Sequence, residues 1–347
     1  MDGKFQVLTL DDATKWNDYH CQIPECQQDI YFSPQYYKLY QENGDGKACC
    51  FVFEQGSSLA LYPFLINKIG DYFDIQGAYG YNGIISNDYR DKFTQDFEIS
   101  FRSWIQENKI IAEFTRFHPL LNNSRFSQNI TVIDDRKTVT LDLSRDIQEI
   151  WLESYSGVNR NMIRKAEKAG IRVEESDKME DYDIFFSLYQ NTMSNLNADK
   201  YLFFSKEYFR NFREYLRNNH TLLLAKIDNQ VICAMILMHW GKYAHYHLSA
   251  RDRNFSNSGV NNLILDKAIR KAKDLNCSKF HFGGGTSNSS SDSLLKFKQS
   301  FSKDLAQFSI GKRVWNNEVY QSIVTKWENH NPEKANIYKN YLLKYRF

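Results

Sequence analysis

The chain has 347 residues, of which 42% are hydrophobic and 15% aromatic, so apolar material for globular cores is plentiful. Its 44 basic and 42 acidic residues give a net charge of +2, which argues against DNA binding and leaves only local patches for any polyanion. A chain of this length is expected to fold as two domains.

The six cysteines and the N-terminal residues bear on the compartment. The cysteines form no C-x-x-C pair and no Cys/His cluster with zinc-finger spacing, so reduced thiols and no metal site are expected. The N-terminal residues do not resemble a signal peptide, and no stretch approaches the roughly 18 apolar residues of a membrane span. We therefore expect a cytoplasmic protein with no transmembrane segment.

Antiparallel strands are predicted in both halves of the chain. The stretch KACCFVFEQGSSLALYPFLIN, from Lys47, contains two apolar runs that turn at Gly56 and Ser57, as in a hairpin. The stretch TLLLAKIDNQVICAMILMHW, from Thr221, predicts a second hairpin, and KYAHYHLSA continues it with a third strand. Each half is thus expected to contain its own antiparallel meander.

Two helices are predicted between and after these strands. Residues 157–169 have helical periodicity, with Gly170 as the C-terminal cap and an apolar face formed by Val158, Met162, Ala166 and Ala169. On this helix the cations Arg160, Arg164 and Lys168 follow i, i+4 spacing, which suits either a phosphorylated ligand or a solvated face. The stretch GVNNLILDKAIRKAKDLN, from Gly259, predicts a second amphipathic helix.

Three consecutive glycines follow the next predicted strand. The stretch SKFHF alternates apolar and polar residues, and Gly283, Gly284 and Gly285 come directly after it. The glycines are interpreted either as a simple chain reversal or as backbone that approaches a substrate closely. His245 and His247, on one face of an earlier strand, lack an evident third ligand and are interpreted as core or cleft histidines.

Five stretches in this order resemble the Fem-like branch of the GNAT acyltransferase superfamily. They are AYGYNGI, FTRFHPLLNN, NRNMIRKAEKAGIRVEE, LYQNTMSNLNADKYLFF and FHFGGGTSNSSSDSLLKFKQSF. The resemblance implies an α/β (α+β) fold of two tandem GNAT-like domains with mixed, mostly antiparallel sheets flanked by helices. The expected domains are 1–145 and 146–315, and residues 316–347 are expected to pack back on the first domain.

The resemblance also implies the reaction and its partners. Fem-like enzymes transfer an aminoacyl group from tRNA to a peptidoglycan precursor, so N-acyl transfer in cell-envelope peptidoglycan or polysaccharide synthesis is expected. The acceptor would be a nucleotide- or lipid-linked sugar or a peptidoglycan precursor, which leaves open a peripheral position at the inner membrane. The donor would be aminoacyl-tRNA or acyl-CoA, with no tightly bound cofactor. Two alternatives stay open: an acetyl-CoA-dependent N-acetyltransferase acting on an amino sugar, and a non-catalytic GNAT-like binding module.

The loop before the second helix departs from the coenzyme A signature of GNAT enzymes. Those enzymes typically show Q/R-x-x-G-x-G/A at a helix N-terminus, whereas this chain has Ser256 for the Gln/Arg and Asn261 for the last glycine. Gly259 and Asn261 are the candidate donor-binding residues. N-capping by Asn257 or Ser258 explains the same residues without a ligand.

Lys298 is the candidate catalytic residue, since it falls where the Fem-like family places a lysine near the reacting ester. Its charge would stabilise the oxyanion that forms when an amine attacks the ester. Lys296, two residues away, would point to another face of a helix. The candidate substrate-binding residues, judged partly by family position, are Arg116, Arg160, Arg164, Tyr79, Tyr81, Tyr246, Gly284 and Gly285. For the tyrosines, a purely structural role is the alternative.

Overall fold

The computed structural model describes residues 3–196, 199–255, 258–289 and 291–347. The chain divides into two compact units. The first contains the residues up to Gln27, Tyr31–Asp135 and Phe308–Phe347, and the second contains Gln28–Ile30 and Arg136–Gln307. The sequence predicts domain boundaries at 145 and 315. Both lie later in the chain than the boundaries of the structure, which follow Asp135 and Gln307.

Residues 3–142 contain seven strands and three α-helices. In chain order they are β1 (Lys4–Leu8), α1 (Ala13–Gln22), α2 (Pro34–Glu42), β2 (Lys47–Gln55), β3 (Ser58–Ile69), β4 (Tyr72–Gln76), β5 (Ile85–Ser86), α3 (Asp91–Glu107), β6 (Ile110–Arg116) and β7 (Thr131–Asp142).

The rest of the chain builds the second unit and then returns to the first. Its elements are α4 (Ile147–Glu149), α5 (Gly157–Lys168), β8 (Arg172–Ser176), α6 (Met179–Asn195), α7 (Lys206–Tyr215), β9 (His220–Ile227), β10 (Gln230–Trp240), β11 (Tyr243–Arg251), α8 (Val260–Asp274), β12 (Lys279–Gly284), α9 (Ser293–Gln299), β13 (Leu305–Val314), α10 (Asn317–His330) and α11 (Pro332–Ile337).

Both units contain mixed sheets in which antiparallel pairs dominate. In the first unit the hydrogen-bonded order is β1-β2-β3-β4-β6-β13, and only β4–β6 is parallel among these pairs of described residues. In the second unit the order is β7-β12-β11-β10-β9-β8, and β11–β12 is the corresponding parallel pair. Both predicted hairpins are present, as β2–β3 and β9–β10, and the predicted fold class is confirmed.

The abundant aromatic residues form much of the first core. Phe51 lies against Phe97 and Phe101 with ring centroids 5.4 and 5.1 Å apart, and Trp104 stacks on Phe101 at 5.9 Å. These rings pack in edge-to-face and offset arrangements, which aromatic quadrupoles favour. In the second unit, α8 buries one face in the core of the sheet, as its periodicity predicts, through Ile264, Ala268, Ala272 and their neighbours.

The last residues of the chain pack within the first unit. Tyr320 and Val324 of α10 and Leu343 form an apolar cluster with Ile111 and Ala112 of β6. Among the described residues, no helix combines the length and the apolar character that crossing a bilayer requires.

The helix α5 lies where predicted, but its predicted apolar face is only partly right: Ala166 is buried, whereas Val158 and Ala169 are exposed. Val158, placed on that face, is 75% exposed. The buried residues are Asn159, Ile163 and Ala166. A polar residue can replace the expected apolar one because the Asn159 amide donates to the Ser300 carbonyl oxygen at 3.2 Å, so its burial leaves no donor unpaired there.

Candidate active site

The site begins where β11 and β12 separate within the second unit. Tyr243–His245 pairs with Lys279–His281 in parallel register, and the described residues of both strands form no further pair with each other. Beyond that point β12 keeps its antiparallel pairing with β7 on its other side, with Gly283 opposite Val139 and Gly284 opposite Thr138. We call this parting of two adjacent strands the seam.

Lys298 places its ammonium group at the seam. Its side chain is buried, although lysine is usually exposed. Nζ donates a hydrogen bond of 2.6 Å to the Gly284 carbonyl oxygen and lies 5.4 Å from the centre of the Tyr246 ring. Burial lowers the pKa of Lys298 to about 7, and the nearby negative charge of Asp292 opposes this shift.

Lys296 and Lys298 differ sharply in environment although both belong to α9. Lys296 is exposed, whereas Lys298 points into the interior. Residues two apart on a helix lie on different faces, so one faces solvent while the other faces Gly284. Lys296 is therefore a matched control for experiments on Lys298.

At two of these three positions the structure explains why the residue is glycine. Gly283 has φ of +75°, a left-handed conformation that side chains disfavour. At Gly285 a Cβ atom would lie 2.4 Å from Oδ1 of Asp292, a distance that no carbon–oxygen contact permits. The glycines thus let the backbone approach both the ammonium of Lys298 and a buried carboxylate.

That carboxylate, Asp292, closes the loop between β12 and α9. Its Oδ1 accepts from the Leu295 amide at 2.8 Å and caps α9. Its Oδ2 accepts from the backbone amides of Thr286 and Ser287, both at 3.0 Å, and from their hydroxyls at 2.6 and 3.1 Å. These hydrogen bonds, led by that of the Thr286 side chain, hold the pKa of Asp292 well below its usual range. We call this set of contacts the Asp292 clamp.

The cations of α5 have partners within the second unit. The Arg160 guanidinium donates to the carbonyl oxygen of Trp151 at 3.2 Å and to that of Leu152 at 3.0 Å. It also donates to the carbonyl oxygen of Tyr155. These contacts account for Arg160 without a ligand. Arg164 is exposed, and its guanidinium lies 5.6 Å from the centre of the Trp151 ring. Arg164 therefore remains accessible to an anion.

Arg116, Tyr79 and Tyr81 belong to the first unit. Nη1 of Arg116 donates to the carbonyl oxygens of Gly77 and Ala78 at 3.2 and 3.4 Å. The Tyr79 carbonyl oxygen accepts from a neighbouring tyrosine hydroxyl, and the Tyr81 ring packs among aromatic residues of the same unit. Arg116 thus holds the start of the loop that carries both tyrosines. All three side chains are half-buried.

Gly259 and Asn261 stand at the start of α8, where packing explains both. Gly259 has φ of +81°, and a Cβ atom there would lie 2.2 Å from the Met162 carbonyl oxygen of α5. Oδ1 of Asn261 accepts from the buried Cys233 thiol at 3.6 Å. Ser258 contacts the helix start through its hydroxyl, which accepts from the Val260 amide at 3.3 Å. Ser256 and Asn257 lie outside the described residues.

The two histidines of β11 have partners within the second unit. Nε2 of His245 lies 2.8 Å from Oδ2 of Asp29, and both side chains are buried. His247 stacks on Phe212 with ring centroids 5.4 Å apart, and burial lowers its pKa to about 3. His247 is therefore neutral at physiological pH.

The second unit contains a stretch that matches a known family. Residues 156–299, which include the seam, Lys298 and Gly284, match the family described as "Acetyltransferase (GNAT) domain". The resemblance to the Fem-like branch of this superfamily is confirmed by two further similarities. The fold is that of the crystal structure of FemX, with a TM-score of 0.72 and 16% identity over 92% of this chain and 99% of that chain.

A curated relative supplies the second similarity. The chain is 24% identical over 197 residues to a "UDP-N-acetylmuramoylpentapeptide-lysine N(6)-alanyltransferase" of Weissella viridescens. The match covers 55% of this chain and 57% of that enzyme, which is less than two thirds of its length. The fold is also that of a tandem GNAT protein from the clavulanic acid biosynthesis pathway, with a TM-score of 0.50 and 9% identity over 89% of this chain and 98% of that one.

Two features of the site were not predicted from the sequence. One is the Asp292 clamp, although an aspartate three residues before Leu295, at the start of a short helix, is a recognisable N-cap signal. The other is Arg136 of β7, whose Nη1 donates to the Gly285 carbonyl oxygen at 3.2 Å. No local pattern marks Arg136, because the contact joins residues far apart in the chain.

Proposed function

We propose that the chain is an N-acyltransferase of cell-envelope synthesis that moves an aminoacyl group from aminoacyl-tRNA to an amine of a peptidoglycan precursor. The observation that carries this proposal is the buried ammonium of Lys298, held on the Gly284 carbonyl oxygen at the seam. The printed name of the curated relative describes an alanyl group placed on N6 of a lysine, which supports the acceptor class. The FemX-like fold over nearly the whole chain supports the same reaction class.

The chemistry requires a group that stabilises negative charge on oxygen. The acceptor amine attacks the carbonyl carbon of the ester, a C–N bond forms, and charge develops on the carbonyl oxygen. Collapse of this intermediate breaks the bond between the carbonyl carbon and the ribose oxygen, and the ribose hydroxyl leaves with the proton that the amine releases. An N–H of the buried Lys298 side chain donates to the oxyanion, and burial lowers the local dielectric constant, so the interaction is stronger than in bulk water.

The protonation state of Lys298 decides which role it plays. As an oxyanion donor it must be an ammonium, so its contribution is lost as pH rises through its pKa of about 7. A neutral Lys298 acting as a general base would give the opposite trend, with activity gained through the same range. We assign the ammonium role, because the developing negative charge raises the affinity of Lys298 for its proton during the reaction.

Arg164, Arg116, Tyr79 and Tyr81 are proposed to contact the acceptor. The exposed guanidinium of Arg164 can pair with a phosphate in bidentate geometry. Arg160, whose guanidinium is committed to three backbone carbonyls, is assigned instead to holding the turn before α5. With a net charge of +2, contact with tRNA must use local patches, so this binding should weaken steeply with salt.

A donor panel tests the proposal. Purified protein would be incubated with UDP-N-acetylmuramoyl-pentapeptide containing lysine and either aminoacyl-tRNA or acetyl-CoA, and products would be identified by mass spectrometry. We expect an aminoacyl mass increment on the lysine amine. Lys298→Met should slow this transfer roughly a hundredfold, as loss of an oxyanion donor does, while Lys296→Met should not.

Each contrary result selects another function. Transfer from acetyl-CoA with none from aminoacyl-tRNA would replace the proposal by an N-acetyltransferase acting on an amino sugar, which the description of the matched domain also fits. Binding of the precursor with no turnover from any donor would identify a non-catalytic binding module. Wild-type turnover in a folded Lys298→Met variant would remove Lys298 from the chemistry.

A further inference from the structure

We propose that Asp292 is a positioning residue for acyl transfer, which places Lys298 on the Gly284 carbonyl oxygen and keeps its side chain in the ammonium form. The inference rests on the proposed function of Lys298. Among the described residues, the side-chain hydrogen bonds of Asp292 go to Thr286, Ser287 and Leu295 and not to Lys298, so Asp292 acts on Lys298 through the loop and through its charge.

The clamp ties together the two ends of the loop that builds the site. Through Thr286 and Ser287, Oδ2 holds the chain directly after the glycines. Through the Leu295 amide, Oδ1 holds the first turn of α9. Gly284 precedes the first of these contacts and Lys298 follows the second within one helical turn. The distance between the Gly284 carbonyl and the Lys298 ammonium is therefore set by one carboxylate.

The carboxylate is itself fixed tightly in place. It is 8% exposed, and it accepts hydrogen bonds from three backbone amides and two hydroxyls. Gly285 packs so closely on it that no side chain fits there. A carboxylate used only to cap a helix needs one or two amide donors. The additional donors stabilise its ionised form, so Asp292 presents a permanent negative charge beside the site.

The negative charge of Asp292 favours the ammonium form of Lys298, which is the form that the proposed reaction requires. Burial favours the neutral amine, and the negative charge of Asp292 opposes burial. Two other titratable side chains contact this part of the site: Tyr246 of β11, 5.4 Å from the ammonium and with its pKa raised to about 12 by burial, and Arg136 of β7, which donates to the Gly285 carbonyl oxygen. Tyr246 is neutral at physiological pH and Arg136 is positive, so Asp292 supplies the compensating negative charge.

The test measures the protonation of Lys298 without any turnover. Trace labelling with acetic anhydride, followed by mass spectrometry of the peptide that carries Lys298, gives the pH at which this amine becomes reactive. In the wild type the midpoint is expected near pH 7. In Asp292→Asn, which keeps a good N-cap residue but removes the charge, the midpoint should move to lower pH. Each unit of that movement lowers the ammonium fraction above the midpoint about tenfold.

Turnover then separates positioning from simple structural support. In Asp292→Asn the pH profile of kcat should move to lower pH together with the labelling midpoint, while KM for the acceptor stays unchanged. Asp146→Asn provides a matched control, because it removes the capping carboxylate of α4, which accepts from the Gln148 amide at 2.7 Å. The control should leave both the midpoint and the profile as in the wild type.

A second variant keeps the inference falsifiable if Asp292→Asn folds poorly. Thr286→Val removes the 2.6 Å hydrogen bond to Oδ2 but leaves the charge, so kcat should fall several-fold with the labelling midpoint unmoved. A midpoint that is unchanged or higher in Asp292→Asn, or that falls in Thr286→Val, would overturn the inference. Absence of turnover in the wild type would instead overturn the proposed function, and the labelling result would still decide the role of Asp292.

Discussion

Replacement of Lys298 by methionine should change how the stability of the second unit depends on pH. Burial lowers the pKa of Lys298 from 10.5 to about 7. Below pH 7 both the folded and the unfolded chain hold the proton. Between pH 7 and 10.5 the unfolded chain still holds it while the folded chain has lost it, so stability rises with pH. Methionine does not titrate and cannot contribute to this rise.

The magnitude follows from the size of the shift. Each proton bound by the unfolded chain alone is worth about 1.4 kcal/mol per pH unit. Lys298 is half protonated in the folded state at pH 7 and almost neutral at pH 9, so the wild type should gain about 2 kcal/mol across this interval from this residue. Loss of the hydrogen bond to Gly284 costs the variant about 1 kcal/mol at either pH and cancels in the comparison.

The assay must report on the second unit alone. Cys233 and Cys277 are both buried there, so their labelling by a thiol reagent in increasing urea, resolved by mass spectrometry, follows its unfolding. Wild type, Lys298→Met and the control Lys296→Met would be compared at pH 7 and pH 9. Wild type and Lys296→Met should show the larger gain. An equal gain in Lys298→Met would refute a depressed pKa at Lys298.

Three further predictions concern other residues. Arg164→Ala should weaken binding of the nucleotide-linked acceptor with little loss of stability, since exposed cations contribute little to folding; unchanged affinity by calorimetry would remove Arg164 from the site. Gly285→Ala should displace Asp292 and lower stability by about 1–3 kcal/mol, so a neutral result in urea unfolding would contradict the described clamp. Arg346→Leu should destabilise the first unit by about 3–5 kcal/mol, because it leaves the fully buried Asp74 carboxylate without its ion pair; thermal unfolding of this variant as in the wild type would argue against that pairing.

Much of the fold could be predicted because its signals are local. The hairpin at Gly56 and the helix α8 follow from turn residues and apolar periodicity, which act over a few residues. Val158 shows the limit of that reasoning. It has the spacing of a buried residue on α5 but is exposed, because Asn159 satisfies its amide within the core and takes the buried position.

In the site, too, features with local signals could be predicted from the sequence, whereas features that depend on tertiary packing could not. Lys298 could be singled out by family resemblance, yet its burial and lowered pKa depend on how β12, α9 and β11 come together, and no local pattern encodes that. The glycines could be read as a close approach of backbone, but the groups approached, the Lys298 ammonium and the Asp292 carboxylate, appear only when the loop closes. Sequence thus identified the elements of the site more readily than the contacts between them.

The discontinuity of the first unit has a consequence for the order of folding during synthesis. Strand β6 pairs with residues 310–314 of β13, and Asp74 forms an ion pair with Arg346. The first unit therefore cannot complete its fold until segments that follow Arg136–Gln307 have been synthesised. The second unit, apart from Gln28–Ile30, is contiguous and can complete its sheet earlier. The residues of the first unit that precede Arg136 are therefore made before the second unit but become native after it. Until then the first unit exposes the edge of β6 that pairs with β13, and the apolar residues Ile111 and Ala112 that Tyr320, Val324 and Leu343 cover, and a chaperone is expected to bind there.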